Sequence, residues 1–295
     1  MFRTGGFFTH VFPKGDSIMT RKYIFLDIDG TLTVPFQPPT PHVQEAIHTA
    51  RRSGHKVFLS TGRNIPFISQ DVLDVGFDGI VASAGSHIEA EGQVIYDDVM
   101  PEELVQEIIS VFHRFNVSCR IESAEGVYTD TMMDELVRST RPEDANSEML
   151  RMIRELEAHT EVHSYDEYPR NGAYKVCFTC TDIEDVERTK PFLADRFSYV
   201  IFPHLFQSRT INGEIIRNGI NKGTAIRKVC DYYGAPLSDT IVFGDSMNDY
   251  DMFGCAGHAV AMDNACDELK QAADTVCESV EQDGIYHEFR RLQLI

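Results

Sequence analysis

A chain of 295 residues, 42% of them hydrophobic and 25% charged, can bury a large core and has room for two domains. Its formal net charge of −19 argues against nucleic acid or an anionic membrane as partner, yet a local cationic site could still hold an anionic substrate. No run approaches the roughly eighteen uninterrupted apolar residues of a bilayer span, so a cytoplasmic protein, monomeric or a small homo-oligomer, is expected.

Residues 1–20 carry Phe7, Phe8, Val11 and Phe12, but His10, Pro13 and Lys14 interrupt them. Without a continuous apolar region or a small-residue cleavage site, this stretch reads as a disordered or loosely docked extension, with Met19 a candidate start. The chain's organising stretch follows at Tyr23-Ile-Phe-Leu-Asp27-Ile-Asp29-Gly30-Thr31. An apolar run ending in two acids reads as a buried parallel strand that delivers carboxylates into a crevice. Asp27 and Asp29 are two apart, so strand geometry would project both from one face. Carboxylates that close repel unless a cation lies between them or one holds a proton. The pair therefore points to a divalent cation, to a nucleophile with an acid/base partner, or to both.

Thr40-Pro41 caps a predicted helix with Val43, Ala46, Ile47 and Ala50 on one face, and Gly54 ends it. The strand Lys56 to Ser60 closes on Thr61-Gly62-Arg63, and the strand Gly79 to Ala82 closes on Ser83-Ala84-Gly85. Strand and helix alternate with short links, which marks a doubly wound α/β sheet. From about Ser86 to Ser208 the pattern changes. Helices are expected at Pro101 to Phe115, Asn146 to His159 and Glu184 to Asp195, and strands at Gln93 to Tyr96, Val117 to Ile121, Val127 to Thr131 and Ala173 to Thr181. This mix suggests an inserted α+β domain with its own open sheet. The first pattern resumes with a helix from Asn221-Lys222-Gly223 to Gly234, a strand Thr240 to Phe243 ending in Gly244-Asp245-Ser246-Met247-Asn248-Asp249, a strand His258 to Met262 and a helix near Gly284 to Leu292.

The strand ends and helix starts share one chemical theme: Asp27 and Asp29, Thr61, Lys222, then Asp245, Asn248 and Asp249. In open α/β sheets such ends face a common crevice. Carboxylates with one amide are hard oxygen ligands suited to Mg²⁺, and a lysine with a threonine hydroxyl suits a phosphoryl group. These motifs, in this order, resemble the haloacid dehalogenase (HAD) superfamily of phosphatases. Between Arg63 and Lys222 lie 158 residues, more than one strand and helix need, so the insertion falls after the third strand. That position is similar to subclass IIB, and the wording of the motifs to its Cof-like group. The resemblance implies a HAD core at residues 21–85 and 209–295 and an α/β cap at residues 86–208.

It further implies that Asp27 attacks phosphorus to form an aspartyl-phosphate and that Asp29 serves as acid, then base. Thr61, Gly62, Lys222 and Asn248 would hold the phosphoryl group. Mg²⁺ would bind Asp27, the backbone carbonyl of Asp29 and Asp245, with Asp249 in support through water. Gly30 and Gly244 would let the backbone turn tightly toward the phosphate. Arg63 could contact phosphate or brace the loop through a carboxylate.

Cys177-Phe-Thr-Cys180 lacks the second pair of a zinc site, and on a strand its thiols would face opposite ways, so buried thiols are expected. His159-Thr-Glu-Val-His163 has its glutamate misplaced for HExxH and reads as a solvated helix end. Lys222 lacks the spacing of a P-loop. Arg120, Glu122 and Lys175 sit on expected strands whose facing the sequence leaves open. The expected function is hydrolysis of small phosphorylated metabolites, sugar phosphates or phosphorylated cofactors. A phosphomannomutase-type phosphosugar mutase and a non-catalytic binding or regulatory HAD protein remain as alternatives.

Overall fold

The computed structural model describes residues 20–35, 37–130, 162–202 and 211–295. The expected extension and the helix Asn146 to His159 lie outside these residues, apart from Thr20.

Five strands open the chain: β1 (Tyr23–Leu26), β2 (Lys56–Ser60), β3 (Gly79–Ala82), β4 (His87–Ala90) and β5 (Gln93–Asp97). Six follow in the middle: β6 (Ser118–Glu122), β7 (Val127–Thr129), β8 (Val162–Ser164), β9 (Lys175–Cys180), β10 (Phe197–Phe202) and β11 (Ile211–Arg217). Three close it: β12 (Thr240–Gly244), β13 (His258–Ala261) and β14 (Thr275–Val276).

The core sheet has the order β14-β13-β12-β1-β2-β3-β4-β5. Its first six members run parallel, and β4 and β5 add an antiparallel hairpin at the edge. β1 lies between β2 and β12 and is buried throughout, because Ile24 and Leu26 pack on one face while Tyr23 and Phe25 pack on the other. The helix Pro41–Arg52 covers the first face with Val43, Ala46, Ile47 and Ala50, its start fixed by Val43 N donating to Thr40 Oγ1 at 3.3 Å. The helix Lys222–Tyr233 covers the second face with Ala225, Ile226, Val229 and Cys230. Asn221 and Thr224 form a capping box at its start, and Gly234, at φ 63°, ends it in the left-handed region.

The cap sheet has the order β10-β11-β9-β6-β7-β8. One face carries Cys119, Ile121, Val176, Phe178 and Ile215, which pack with Val105, Ile108, Ile109 and Phe112 of the helix Glu102–Arg114. The other carries Arg120, Glu122, Lys175 and Glu214, each no more than 3% exposed.

Two expected boundaries move. The strand Gln93 to Tyr96, expected in the insertion, is the edge of the core sheet, where β5 pairs with β4 and β4 with β3. Ser83 and Ala84, with φ of 49° and 55°, reverse the chain into that hairpin, so this turn leads to a core strand rather than to the cap. At the far boundary, β11 would have belonged to the core, yet it pairs with β9 and β10 in the cap sheet. Sequence pattern marks strands, but pairing partners decide the sheet to which each belongs. The stretch Glu184 to Asp195 is two short helices, Ile183–Glu187 and Lys190–Leu193, the second with a proline in its first turn. His163 lies on β8 and stacks on Tyr128 at 5.5 Å; it is on a strand rather than a helix end.

Among the described residues no helix is long and apolar enough to cross a membrane. The cysteines are free thiols, and Cys177 and Cys180 are buried on opposite faces of β9, as period-2 alternation requires.

Candidate active site

The carboxyl ends of β1, β2 and β12 open on one small cavity of about 100 Å³, lined among others by Asp27, Asp29, Thr61, Asp245 and Asn248. A larger cavity of about 410 Å³ lies by the opposite, amino ends of β1 and β12, where Lys22, His55 and His258 line it without a single carboxylate. Volume does not make a site; the smaller cavity holds the convergent acids.

β1 ends at Leu26, so Asp27 and Asp29 do not keep strand alternation as expected. Both reach the cavity, but with different partners. Asp27 is 5% exposed and accepts from Lys222 Nζ at 2.5 Å. Asp29 accepts both arms of Arg63, from Nε at 2.8 Å and Nη2 at 2.5 Å, while Arg63 Nη1 donates to Phe67 O at 3.0 Å. Of the two readings left open for Arg63, the structure has the brace: a planar guanidinium on a carboxylate.

Lys222 comes from the first turn of its helix, and its side chain is fully buried between Asp27 and Asp249, the latter at 2.6 Å. The other oxygen of Asp249 accepts from Asp245 N at 3.0 Å and Ser246 N at 3.1 Å. Asp245 accepts from Thr31 Oγ1 at 3.2 Å. Carboxylate oxygens of Asp27, Asp245 and Asp249 all lie within 4.8 Å of one another.

Burial, opposed by Lys222 and reinforced by Asp249 and Asp29, raises the Asp27 carboxyl to about 7. Burial also drives Asp245 well above its usual value, reinforced by Asp27 and Asp249. For Lys222 burial acts the other way, but the attraction of Asp249 and Asp27 outweighs it and holds the ammonium charged. Three acids against one lysine leave a charge deficit that a divalent, oxygen-seeking cation would cancel. The donor set fits such an ion, with Asp27 and Asp245 as the carboxylates able to reach it. Asp249 has both oxygens engaged, which suits support of the site rather than direct ligation.

Thr61 is buried and its Oγ1 accepts from Arg63 N at 3.1 Å, so its proton is left to donate into the cavity. Ser246 Oγ donates to Asn248 Oδ1 at 2.7 Å, which fixes the amide so that Nδ2 faces Gly62. Gly30 and Gly244 are required by close approach to the acids themselves. A Cβ at Gly30, where φ is +80°, would come within 2.4 Å of Asp245 Oδ2, and one at Gly244 within 2.6 Å of the Asp249 side chain.

The structure adds one residue that the sequence did not single out. Asn64, fully buried, accepts from Ser83 Oγ at 2.6 Å and donates from Nδ2 to Ser123 O of the cap at 2.9 Å. Arg120 of the cap lies 6.0 Å from the centre of the Phe67 ring of the core. The cap thus sits down on the loop after β2. Asn64 follows Thr61-Gly62-Arg63 directly, and that adjacency was the available signal.

A second cluster, His113, Cys119 and Asp130, has the spacing of metal ligands. His113 Nε2 and Cys119 N instead share Asp130 Oδ2, each at 2.8 Å, and burial pushes the Cys119 thiol well above its usual range.

The haloacid dehalogenase-like hydrolase family model matches residues 24–289. The chain belongs to this family. It is 27% identical over 282 residues to the putative phosphatase YkrA of Bacillus subtilis, covering 94% of this chain and 100% of YkrA. It is 26% identical over 280 residues to the 5-amino-6-(5-phospho-D-ribitylamino)uracil phosphatase YitU of the same organism, covering 90% of this chain and 96% of YitU. Among solved structures, the subclass IIB sugar phosphatase BT4131 superposes with a TM-score of 0.73 at 22% identity, over 93% of this chain and 100% of that one, and shares the fold. The HAD hydrolase is a phosphatase by the company it keeps, with an α/β core and a cap.

Proposed function

We propose that this HAD phosphatase hydrolyses small phosphorylated metabolites in the cytoplasm through an aspartyl-phosphate on Asp27, with Mg²⁺ as its metal. The observation that carries the reading is the triangle of Asp27, Asp245 and Asp249, with the Lys222 ammonium bonded to Asp27 and Asp249, at the mouth of three parallel strands. The relatives support the substrate class: YitU is named for a phosphorylated ribitylaminouracil and BT4131 for sugar phosphates.

Asp27 and Asp245 would hold the cation, which when bound neutralises the acids and the incoming phosphate charge. Asp27, held by Lys222, presents an oxygen to phosphorus, and the P–O bond to the leaving group breaks as the Asp27–phosphorus bond forms. Thr61 Oγ1, Asn248 Nδ2 and Lys222 Nζ donate to the phosphoryl oxygens. Asp29 protonates the departing alkoxide and then takes a proton from the water that cleaves the acyl phosphate. Each Asp29 oxygen accepts one bond from the Arg63 fork and keeps a second lone pair for the proton that is transferred. Asn64 ties the cap to the loop that carries Thr61, through its bond to Ser123 O.

The test is phosphate release from a panel of phosphorylated metabolites with Mg²⁺ and with EDTA. Metal-dependent release from a few related esters is expected. No release from any ester would overturn the reading; turnover only with a sugar bisphosphate primer would favour a mutase instead.

A further inference from the structure

The cap's buried polar face lies over the phosphate cradle, and one of its residues reaches the cradle itself. β9 and β6 place Lys175 opposite Glu122, and β11 places Glu214 on the next strand. Lys175 Nζ donates to Glu214 Oε2 at 2.6 Å and lies 3.5 Å from Glu122 Oε2. Its side chain is 1% exposed. The same Nζ stands 3.7 Å from the position a Cβ would take at Gly62, and so does Asn248 Nδ2 from the core. An amide from below and an ammonium from above therefore flank one glycine at the cavity rim. Glycine at this position puts no side chain between them.

We propose that Lys175 is the specificity-determining residue of the cap: its ammonium donates to an oxygen of the leaving group next to the scissile ester, selecting hydroxyl-rich phosphomonoesters. The inference rests on the hydrolase reading above. Asn248 faces the phosphoryl side of the gap, so what Lys175 meets is the part of the substrate that departs. Glu214 pins the lysine and takes up its charge, so the pair favours a neutral hydroxyl over a second anionic group. Cys177, opposite Glu214 in register, is a protonated thiol held up by burial and adds no charge. A long, flexible lysine held by a carboxylate keeps one geometry at a cap that must open and close.

The experiment compares a hexose 6-phosphate with phenyl phosphate, whose leaving group has no oxygen besides the ester. Lys175→Met should lower kcat/KM for the hexose 6-phosphate about 10- to 100-fold, the size of one charge-assisted hydrogen bond, and for phenyl phosphate less than about 3-fold. Equal losses on both esters, or no loss on either, would overturn the assignment and leave Lys175 an ion-pair brace of the cap sheet. Lys175→Met strands buried Glu214, so the Lys175→Met/Glu214→Gln double variant is measured beside it with circular dichroism, and must show the same split. Glu214→Gln alone keeps the ammonium and should retain most of the preference. A wild-type enzyme inactive on both esters and on the rest of the ester panel would instead overturn the hydrolase reading, and this inference with it.

Discussion

The carboxyl end of the core sheet and the polar face of the cap sheet handle buried charge in opposite ways. At the core end Asp27, Asp245 and Asp249 crowd around Lys222, and burial lifts the carboxyls of Asp27 and Asp245. On the described cap face Arg120 and Lys175 stand among Glu122 and Glu214, two of each sign. An unbalanced buried cluster asks for a missing cation; a balanced one needs nothing added to persist. On the proposed reading, reaction chemistry belongs to the unbalanced end and recognition to the balanced one.

The sharpest way to break this contrast is at the nucleophile. Asp27→Asn should lower phosphate release by about 10⁴-fold or more while the melting temperature stays level or rises, because one repelling carboxylate is gone. Retained turnover, measured with the same ester panel, would remove Asp27 from its role. Lys222→Ala should reverse the pattern by stranding Asp27 and Asp249. It should cost about 3–5 kcal/mol of stability by denaturant melting, along with about 100-fold or more in rate. A stable Lys222→Ala protein would mean that the acids do not depend on that ammonium.

A gentler probe is metal and pH together. Without metal, the Asp27 carboxyl titrates near 7 in the folded protein, against a usual value of 3.8. The folded state then binds the proton more tightly than the unfolded one, so this group's contribution is full below about pH 4 and is lost as pH rises through 7. A divalent cation takes the proton's place. Added Mg²⁺ should therefore raise the melting temperature more at pH 8 than at pH 5; equal gains at both would separate the metal from these carboxylates. Smallest is Asn64→Ala, which removes the bonds to Ser83 and to Ser123 O. A loss of about 1–2 kcal/mol and a few-fold drop in kcat/KM are expected, the latter measured on large and small esters. An unchanged kcat/KM would mean the cap docks without this tie.

The sequence by itself determined the α/β core, the existence of a cap, which strand ends carry the acids, threonine and amide, and which helix start carries the lysine. It could do so because buried parallel strands are short apolar runs, and groups at their carboxyl ends converge whatever their separation along the chain. Tertiary structure alone decided the rest. β5 and β11 each read as a strand in sequence, yet pairing placed one in the core sheet and the other in the cap. Arg63 was equally suited to phosphate or carboxylate until folding put Asp29 under its fork. Lys175 on β9 could have faced either way, because alternation gives two faces but not which one lies over Gly62. Local pattern sets the element and its period; only the packing of one sheet against another sets the partner.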